Sequence, residues 1–316
     1  MKIRPLLLVC ALVALPACGG DDKGSPRSSG TPSAPVSTSA TASATATAPA
    51  GDENAVTVGA TDYAYTVTGA AKPGFAKIEF ENTGTDMHMA AIARLNDGKT
   101  AEDAKAALVS DDDADDEDVF LSPDTFLDGN PSLLTPGAKT ATYVELAAGK
   151  YVLMCLLPGR DGEPNYTKGM VSELEVAVGE AVMAEPTQTG EILTDDETLT
   201  LPDLSSGKGT YLYTNDGEDD HGLLFVKLDD GATYETFSAW SDKYFEGEAK
   251  LEDRPGDVWG GILMSASGEA TWVTLDLPPG KYLALDTETI EETNGEHYEY
   301  YRDENGALRA EFTVTG

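Results

Sequence analysis

Cysteine is scarce in this chain, with three in 316 residues. Cys10 and Cys18 stand in the leader, so only Cys155 lies in the body of the sequence. A disulfide-stapled fold is excluded, because the body holds no second thiol to close a bridge. Basic residues are also few: 21 Lys and Arg stand against 56 Asp and Glu, a formal charge of −35. Such a surface repels phosphate backbones and anionic headgroups, which excludes nucleic acid as a partner and any purely electrostatic hold on a membrane. Beyond residue 20 no apolar run approaches the length of a membrane-spanning helix. Helical patterning is almost confined to Thr100–Val109, where an Ala-rich run follows Asp and Glu near its start. No hydrolase nucleophile elbow, phosphate loop or zinc-peptidase motif is present, so no catalytic activity is expected.

The chain does have a leader. Lys2 and Arg4 precede an apolar run from Leu6 to Leu15, followed by Pro16-Ala17-Cys18-Gly19. A basic start, a short apolar stretch and a small residue before the cut are the parts of a secretory signal peptide over residues 1–17. The ending at Ala17-Cys18 resembles the bacterial lipoprotein box. That resemblance implies that Cys18 becomes the mature N-terminus, carries acyl chains such as palmitate, and tethers the protein to the outer face of the cytoplasmic membrane. The rival reading is a soluble secreted protein in which Cys18 falls there by chance.

Residues 18–53 are almost entirely Gly, Ser, Thr, Ala, Pro and Asp, with no aromatic residue. They cannot bury enough surface to offset their ordering entropy and are expected to form a disordered spacer. From residue 54 the pattern changes to short alternating runs between turn residues, as in Ala76–Phe80, Thr142–Leu146 and Tyr151–Cys155, the mark of β-strands. The second half then repeats the first. Asn82-Thr83-Gly84 with His88 matches Asn215-Asp216-Gly217 with His221, and Gly149-Lys150-Tyr151 matches Gly280-Lys281-Tyr282. The closing strands Glu173–Val176 and Glu311–Val314 also correspond. A repeat of this length is a whole domain. The fold class expected is all-β: two tandem Greek-key β-sandwiches, over residues 54–183 and 186–316, each folding independently.

The first copy resembles a cupredoxin, the small β-sandwich of blue-copper proteins. Two motifs carry the likeness: Asn82 with His88 at the head of a strand, and Gly149–Arg160 (a strand, Cys155, then Pro158-Gly159) closed by Gly169-Met170. The resemblance implies that His88, Cys155 and Met170 occupy copper-ligand positions, in a site built from two imidazoles, a thiolate and a weak axial thioether. The sequence departs from the family where a second His should stand, at Arg160, since guanidinium has no lone pair to give. The loop from Arg160 to Met170 is also long. In the second copy Asp286 takes the place of the Cys. A Cys/His/Met set suits soft Cu(I); the plainer alternative is that Cys155 is a buried strand residue and His88 a structural relic. If metal is held, Met87 and Met89 are close enough in sequence to assist, and Arg160 is expected to favour the Cys155 thiolate.

Elsewhere, the acidic run 111–118 lacks the spacing of a calcium loop and reads as a solvated loop. Trp240, Trp259 and Trp272, with Tyr234, Tyr244 and Tyr282, read as core rather than as a sugar platform. The functional expectation is a membrane-anchored, extracytoplasmic, non-catalytic binding protein, monomeric, with residual Cu(I) capacity in its first sandwich. The alternatives are a type-1 copper electron-transfer protein and a metal-free partner-binding module. No protein partner is legible.

Overall fold

Period-two alternation of burial dominates the computed structural model, which describes residues 54–110, 117–121, 126–288 and 308–315. The leader with Cys18, the linker and most of the acidic run lie outside these residues. The first half contributes β1 (Ala55–Thr61), β2 (Ala64–Gly69), β3 (Gly74–Asn82), β4 (Ala91–Arg94), α1 (Ala101–Val109), β5 (Lys139–Leu146), β6 (Gly149–Met154) and β7 (Val171–Val176). The second contributes β8 (Gly190–Thr194), β9 (Leu199–Thr200), β10 (Lys208–Asn215), β11 (His221–Leu228), α2 (Tyr234–Phe245), β12 (Gly256–Ser265), β13 (Ala270–Asp276), β14 (Gly280–Glu288) and β15 (Arg309–Val314). Among the described residues the fold is all-β, with helices only as short covers.

The strands form three sheets. One has eight strands in the order β2-β1-β3-β5-β13-β10-β8-β9, one has four in the order β12-β11-β14-β15, and one has three in the order β4-β6-β7. In each half a parallel pair, β1 with β3 and β8 with β10, sits beside an antiparallel neighbour, β5 or β13. Val56, Val58, Ile78 and Phe80 from one sheet meet Ile92, Leu153, Leu174 and Val176 from its partner in the first core. Ile192, Tyr211, Tyr213 and Val273 meet Leu223, Phe225, Tyr282 and Ala284 in the second.

The junction is a strand ladder between equivalent elements. β5 and β13 pair antiparallel, with Thr142 opposite Val273. These two are also counterparts in the repeat: Thr142 lies opposite Ile78 of β3, and Val273 opposite Tyr211 of β10. The contact therefore has the local symmetry of a two-fold, and the eight-stranded sheet is two four-stranded sheets joined edge to edge.

The expectation that the halves fold independently runs against this packing. β11 is buried on both faces. Leu223 and Phe225 enter the second core, while Leu224, Val226 and Leu228 enter the first. β14 divides likewise, with Tyr282 and Ala284 on one side and Leu283 and Leu285 on the other. An apolar run without alternation is what a strand covered on both faces requires. Phe237 and Trp240 of α2 join the first core as well.

Both helices begin with a reciprocal cap. Thr100 and Asp103 exchange side-chain and backbone hydrogen bonds at α1, and Thr233 and Thr236 do so at α2. The sequence reading found α1 and missed α2. Tyr234-Glu235-Thr236-Phe237 is poor in helix-favouring residues, so propensity hides a helix that tertiary packing sets. Of the second-half aromatics, Tyr234, Trp240, Trp272 and Tyr282 are buried core, as expected, whereas Trp259 and Tyr244 are only partly buried against it.

Candidate functional site

The turn between β3 and β4 is built by one buried side chain. Asn82 donates from Nδ2 to the carbonyls of Asp86 (2.8 Å) and Leu134 (2.9 Å), and its Oδ1 accepts from the Gly84 N–H (2.9 Å). This folds residues 82–88 so that the buried His88 ring enters the end of the first sandwich. His88 is further pinned by paired backbone bonds with Leu134 (3.1 and 2.8 Å).

Asp62, at the β1–β2 turn, sets the ring. It accepts from the Thr85 N–H (2.8 Å) and hydroxyl (2.6 Å), and its Oδ1 lies 3.1 Å from His88 Nε2. Burial alone would raise this carboxyl, but the Thr85 and His88 hydrogen bonds outweigh it and hold Asp62 at about 2. An ionised Asp62 only accepts, so His88 Nε2 carries the proton. Burial lowers the His88 pKa against the pull of Asp62 and Asp86, so the ring is neutral near pH 7. Nδ1 is therefore the accepting nitrogen of the ring. It faces the Cys155 Sγ at 3.8 Å.

Cys155 follows the end of β6 and is fully buried. Its N–H donates to the Met170 carbonyl (3.2 Å), and its own carbonyl accepts from Tyr166 N–H (3.0 Å). Burial raises the thiol. The Met89 backbone, the Asn165 amide, the Leu157 backbone and the Tyr65 hydroxyl each oppose that rise by favouring the thiolate. Asn165 Nδ2 is 3.5 Å from the sulfur.

The structure thus brings His88 and Cys155 into side-chain contact and ties the buried Met170 to Cys155 through the backbone. Met87 and Met89 are buried nearby in sequence. Arg160 departs from expectation. Its guanidinium donates to the Thr85 carbonyl (2.8 Å) and faces Asp86 (3.6 Å) rather than the sulfur, because carbonyl and carboxylate acceptors stand nearer the solvent where its exposed side chain lies. Tyr244, from α2 of the second half, reaches the same Asp86 at 3.3 Å.

The second copy keeps the frame and changes the centre. Asn215 donates to Asp219 and Ser265 carbonyls (2.8 and 2.9 Å), as Asn82 does to its own pair. Asp196 meets His221 Nε2 at 3.2 Å, as Asp62 meets His88. Nδ1 then faces a carboxylate, Asp286 Oδ1, at 2.8 Å. Asp286 is fully buried, raised by that burial, and accepts from the Thr194 hydroxyl. Among the described residues no cluster of three or more His, Cys, Asp or Glu side chains is placed to hold a metal ion. His88 and Cys155 are two such side chains, and Met170 is a thioether.

Sequence reasoning missed Asp62, Asp196, Tyr65 and Asn165. The two Asp were within reach, since each follows a strand and precedes its His by a similar interval, Asp62 before His88 and Asp196 before His221. Asn165 lies inside the long loop that marked the departure from the family pattern.

The donor set fits a small soft ion. Two ligands each about 2.0–2.3 Å from one ion stand roughly 3.5–3.9 Å apart, and His88 Nδ1 to Cys155 Sγ is 3.8 Å. Set in this way, the carboxylate–histidine pair fixes the tautomer that offers Nδ1 to a metal.

No family model matches the chain, and no curated protein matches it. Among solved structures it is similar to auracyanin of Roseiflexus castenholzii, at 20% identity over 40% of this chain and 98% of that one, with a TM-score of 0.29. It is also similar to auracyanin A of Chloroflexus aurantiacus, at 20% identity over 39% and 97%, with a TM-score of 0.27. A multicopper oxidase matches at 11% identity over 83% and 88%, with a TM-score of 0.23. Likeness at these scores carries no functional argument, and the reading below rests on the chain's own geometry. Among the described residues no helix is long and apolar enough to cross a membrane.

Proposed function

We propose that this chain is an extracytoplasmic binding protein, anchored by lipid at Cys18, whose first cupredoxin-like sandwich holds Cu(I) without catalysing a reaction. The observation that carries the metal reading is the Nδ1 of His88 facing the Cys155 sulfur at 3.8 Å. Cu(I) supplies soft, low-coordinate binding chemistry. The chain's residues do the rest. Asp62 orients the imidazole, burial keeps water from both donors and raises the Cys155 thiol, and the hydrogen bonds around the sulfur only partly oppose that rise. Met170 remains the proposed axial thioether. The second sandwich is a structural counterpart, because a thiolate is replaced there by the Asp286 carboxylate, a hard oxygen already bonded to His221.

The electron-transfer alternative requires a second imidazole beside the thiolate, and Arg160 is turned to Thr85 and Asp86. Competition of the mature chain against a calibrated Cu(I) chelator tests the proposal, with absorbance after Cu(II) addition as the second arm. Binding that disappears in Cys155→Ser, with no intense blue band, supports it. A strong blue band favours electron transfer, and competition equal to that of Cys155→Ser leaves a metal-free binding module.

A further inference from the structure

Asn165 is the one polar side chain that reaches the Cys155 sulfur from the long loop between Arg160 and Met170. Its side chain is fully buried. Its Nδ2 stands 3.5 Å from Sγ, while its Oδ1 has no hydrogen-bond partner. A buried amide oxygen left unpaired is costly, so its retention calls for an explanation. The residue is not loose. Its N–H donates to the Leu157 carbonyl (3.0 Å) and its carbonyl accepts from the Met170 N–H (3.2 Å), which clamps it between the two sides of the site. Gly159 makes room for it, since a Cβ there would lie 2.9 Å from Oδ1.

We propose that Asn165 stands in for the missing second imidazole, its amide oxygen acting as the third donor beside Cys155 Sγ and His88 Nδ1. The proposal rests on the metal reading above. A half-turn about the terminal side-chain bond exchanges Oδ1 and Nδ2 without changing the shape of the group, giving up the Nδ2 hydrogen bond to the sulfur that the metal-free site makes. The oxygen then faces the sulfur at the distance the nitrogen now holds, close to the 3.8 Å of His88 Nδ1. Both separations suit two ligands on one ion. The long loop thereby acquires a purpose: its residues 161–164 carry the chain out so that Asn165 returns to the sulfur. A thiolate, an imidazole and an amide oxygen form a mixed set that takes a borderline divalent ion, Zn²⁺ or Co²⁺, in addition to Cu(I).

The test uses Co²⁺ on the mature chain, read by its sulfur-to-metal absorption and by its dissociation constant. Asn165→Ala should weaken Co²⁺ binding by about tenfold or more and change the visible bands, while Asn165→Asp, which keeps an oxygen but loses the N–H donor, should bind at least as tightly as wild type. If Asn165→Asp weakens binding as much as Asn165→Ala, the amide only donates to the thiolate and the proposal is overturned. If neither substitution changes binding, it is also overturned. Should either variant fail to fold by circular dichroism, the Asn165 side-chain amide resonances of the wild type decide. They should shift on Zn²⁺ loading, and unmoved resonances would reject coordination. The underlying reading fails separately, if neither Co²⁺ nor Cu(I) binding depends on Cys155.

Discussion

Gly84→Ala probes the Asp62–His88 pair on which the site's tautomer depends. A Cβ at position 84 would fall 2.6 Å from Asp62 Oδ1 and 2.8 Å from His88 Nε2, inside a hydrogen bond of 3.1 Å. Neither atom can yield easily, since Asp62 is held by Thr85 and the His88 backbone by Leu134. Breaking a charge-assisted bond costs about 1.5–3 kcal/mol, and forcing a methyl into a packed site costs about 1–3 kcal/mol. The two overlap, so the expected loss is about 2–5 kcal/mol, a fall in Tm of roughly 5–15 °C for a body of this size. Gly59→Ala is the control, because its nearest neighbour, a carbonyl oxygen, is 3.9 Å from the added Cβ. It should change stability by no more than about 0.5 kcal/mol. Calorimetry of both variants reads the difference, and histidine nitrogen resonances read the tautomer. Equal melting temperatures, or an unchanged Nε2–H signal in Gly84→Ala, would refute the reasoning.

Stability should fall as pH drops below about 6.5, because burial lowers the folded His88 pKa and the unfolded chain then binds the extra proton. It should fall again between the ordinary carboxyl value and about 2, as Asp62 is protonated. Urea midpoints against pH check both steps, and His88→Gln should remove the upper one and shrink the lower one, since His88 helps to hold the Asp62 carboxyl down. Residues 54–183 expressed alone should lose cooperative unfolding and bind a hydrophobic dye. The cut bares the first-core contacts of Leu224, Val226, Leu228, Leu283 and Leu285, worth roughly 8–15 kcal/mol at about 1.5–3 kcal/mol each, as much as a domain's whole stability. A sharp, dye-free transition would contradict the shared core. Cys18→Ala should release the protein from the membrane fraction and abolish acyl mass, and retention of both would refute the anchor.

The strands and the repeat were legible because each rests on local pattern, namely period-two alternation and a turn signature around Asn82 and Asn215, whereas the approach of His88 to Cys155 was expected only from the resemblance to cupredoxins. What was not legible rests on contacts between distant segments. The double-sided burial of β11 reads in sequence as one apolar run, and nothing in that run says which face meets which core. Asp62 reaches His88 across 26 positions, and its role appears only once the β1–β2 turn folds over the end of the sandwich. Asn165 sat in a loop that looked like an interruption of the motif, because a motif counts spacing along the chain and not the return of a loop in space. Arg160 was placed beside the sulfur by the same linear logic, whereas Asp86 and the Thr85 carbonyl draw it outward.

X-ray absorption at the copper edge of the Cu(I)-loaded mature chain is the measurement that bears most directly on the account. It predicts at least one sulfur at about 2.2–2.3 Å and one nitrogen or oxygen at about 2.0–2.1 Å, both signals being lost in Cys155→Ser. A wild-type spectrum with no sulfur scatterer, or one unchanged by Cys155→Ser, would contradict the claim that His88 and Cys155 form a metal centre.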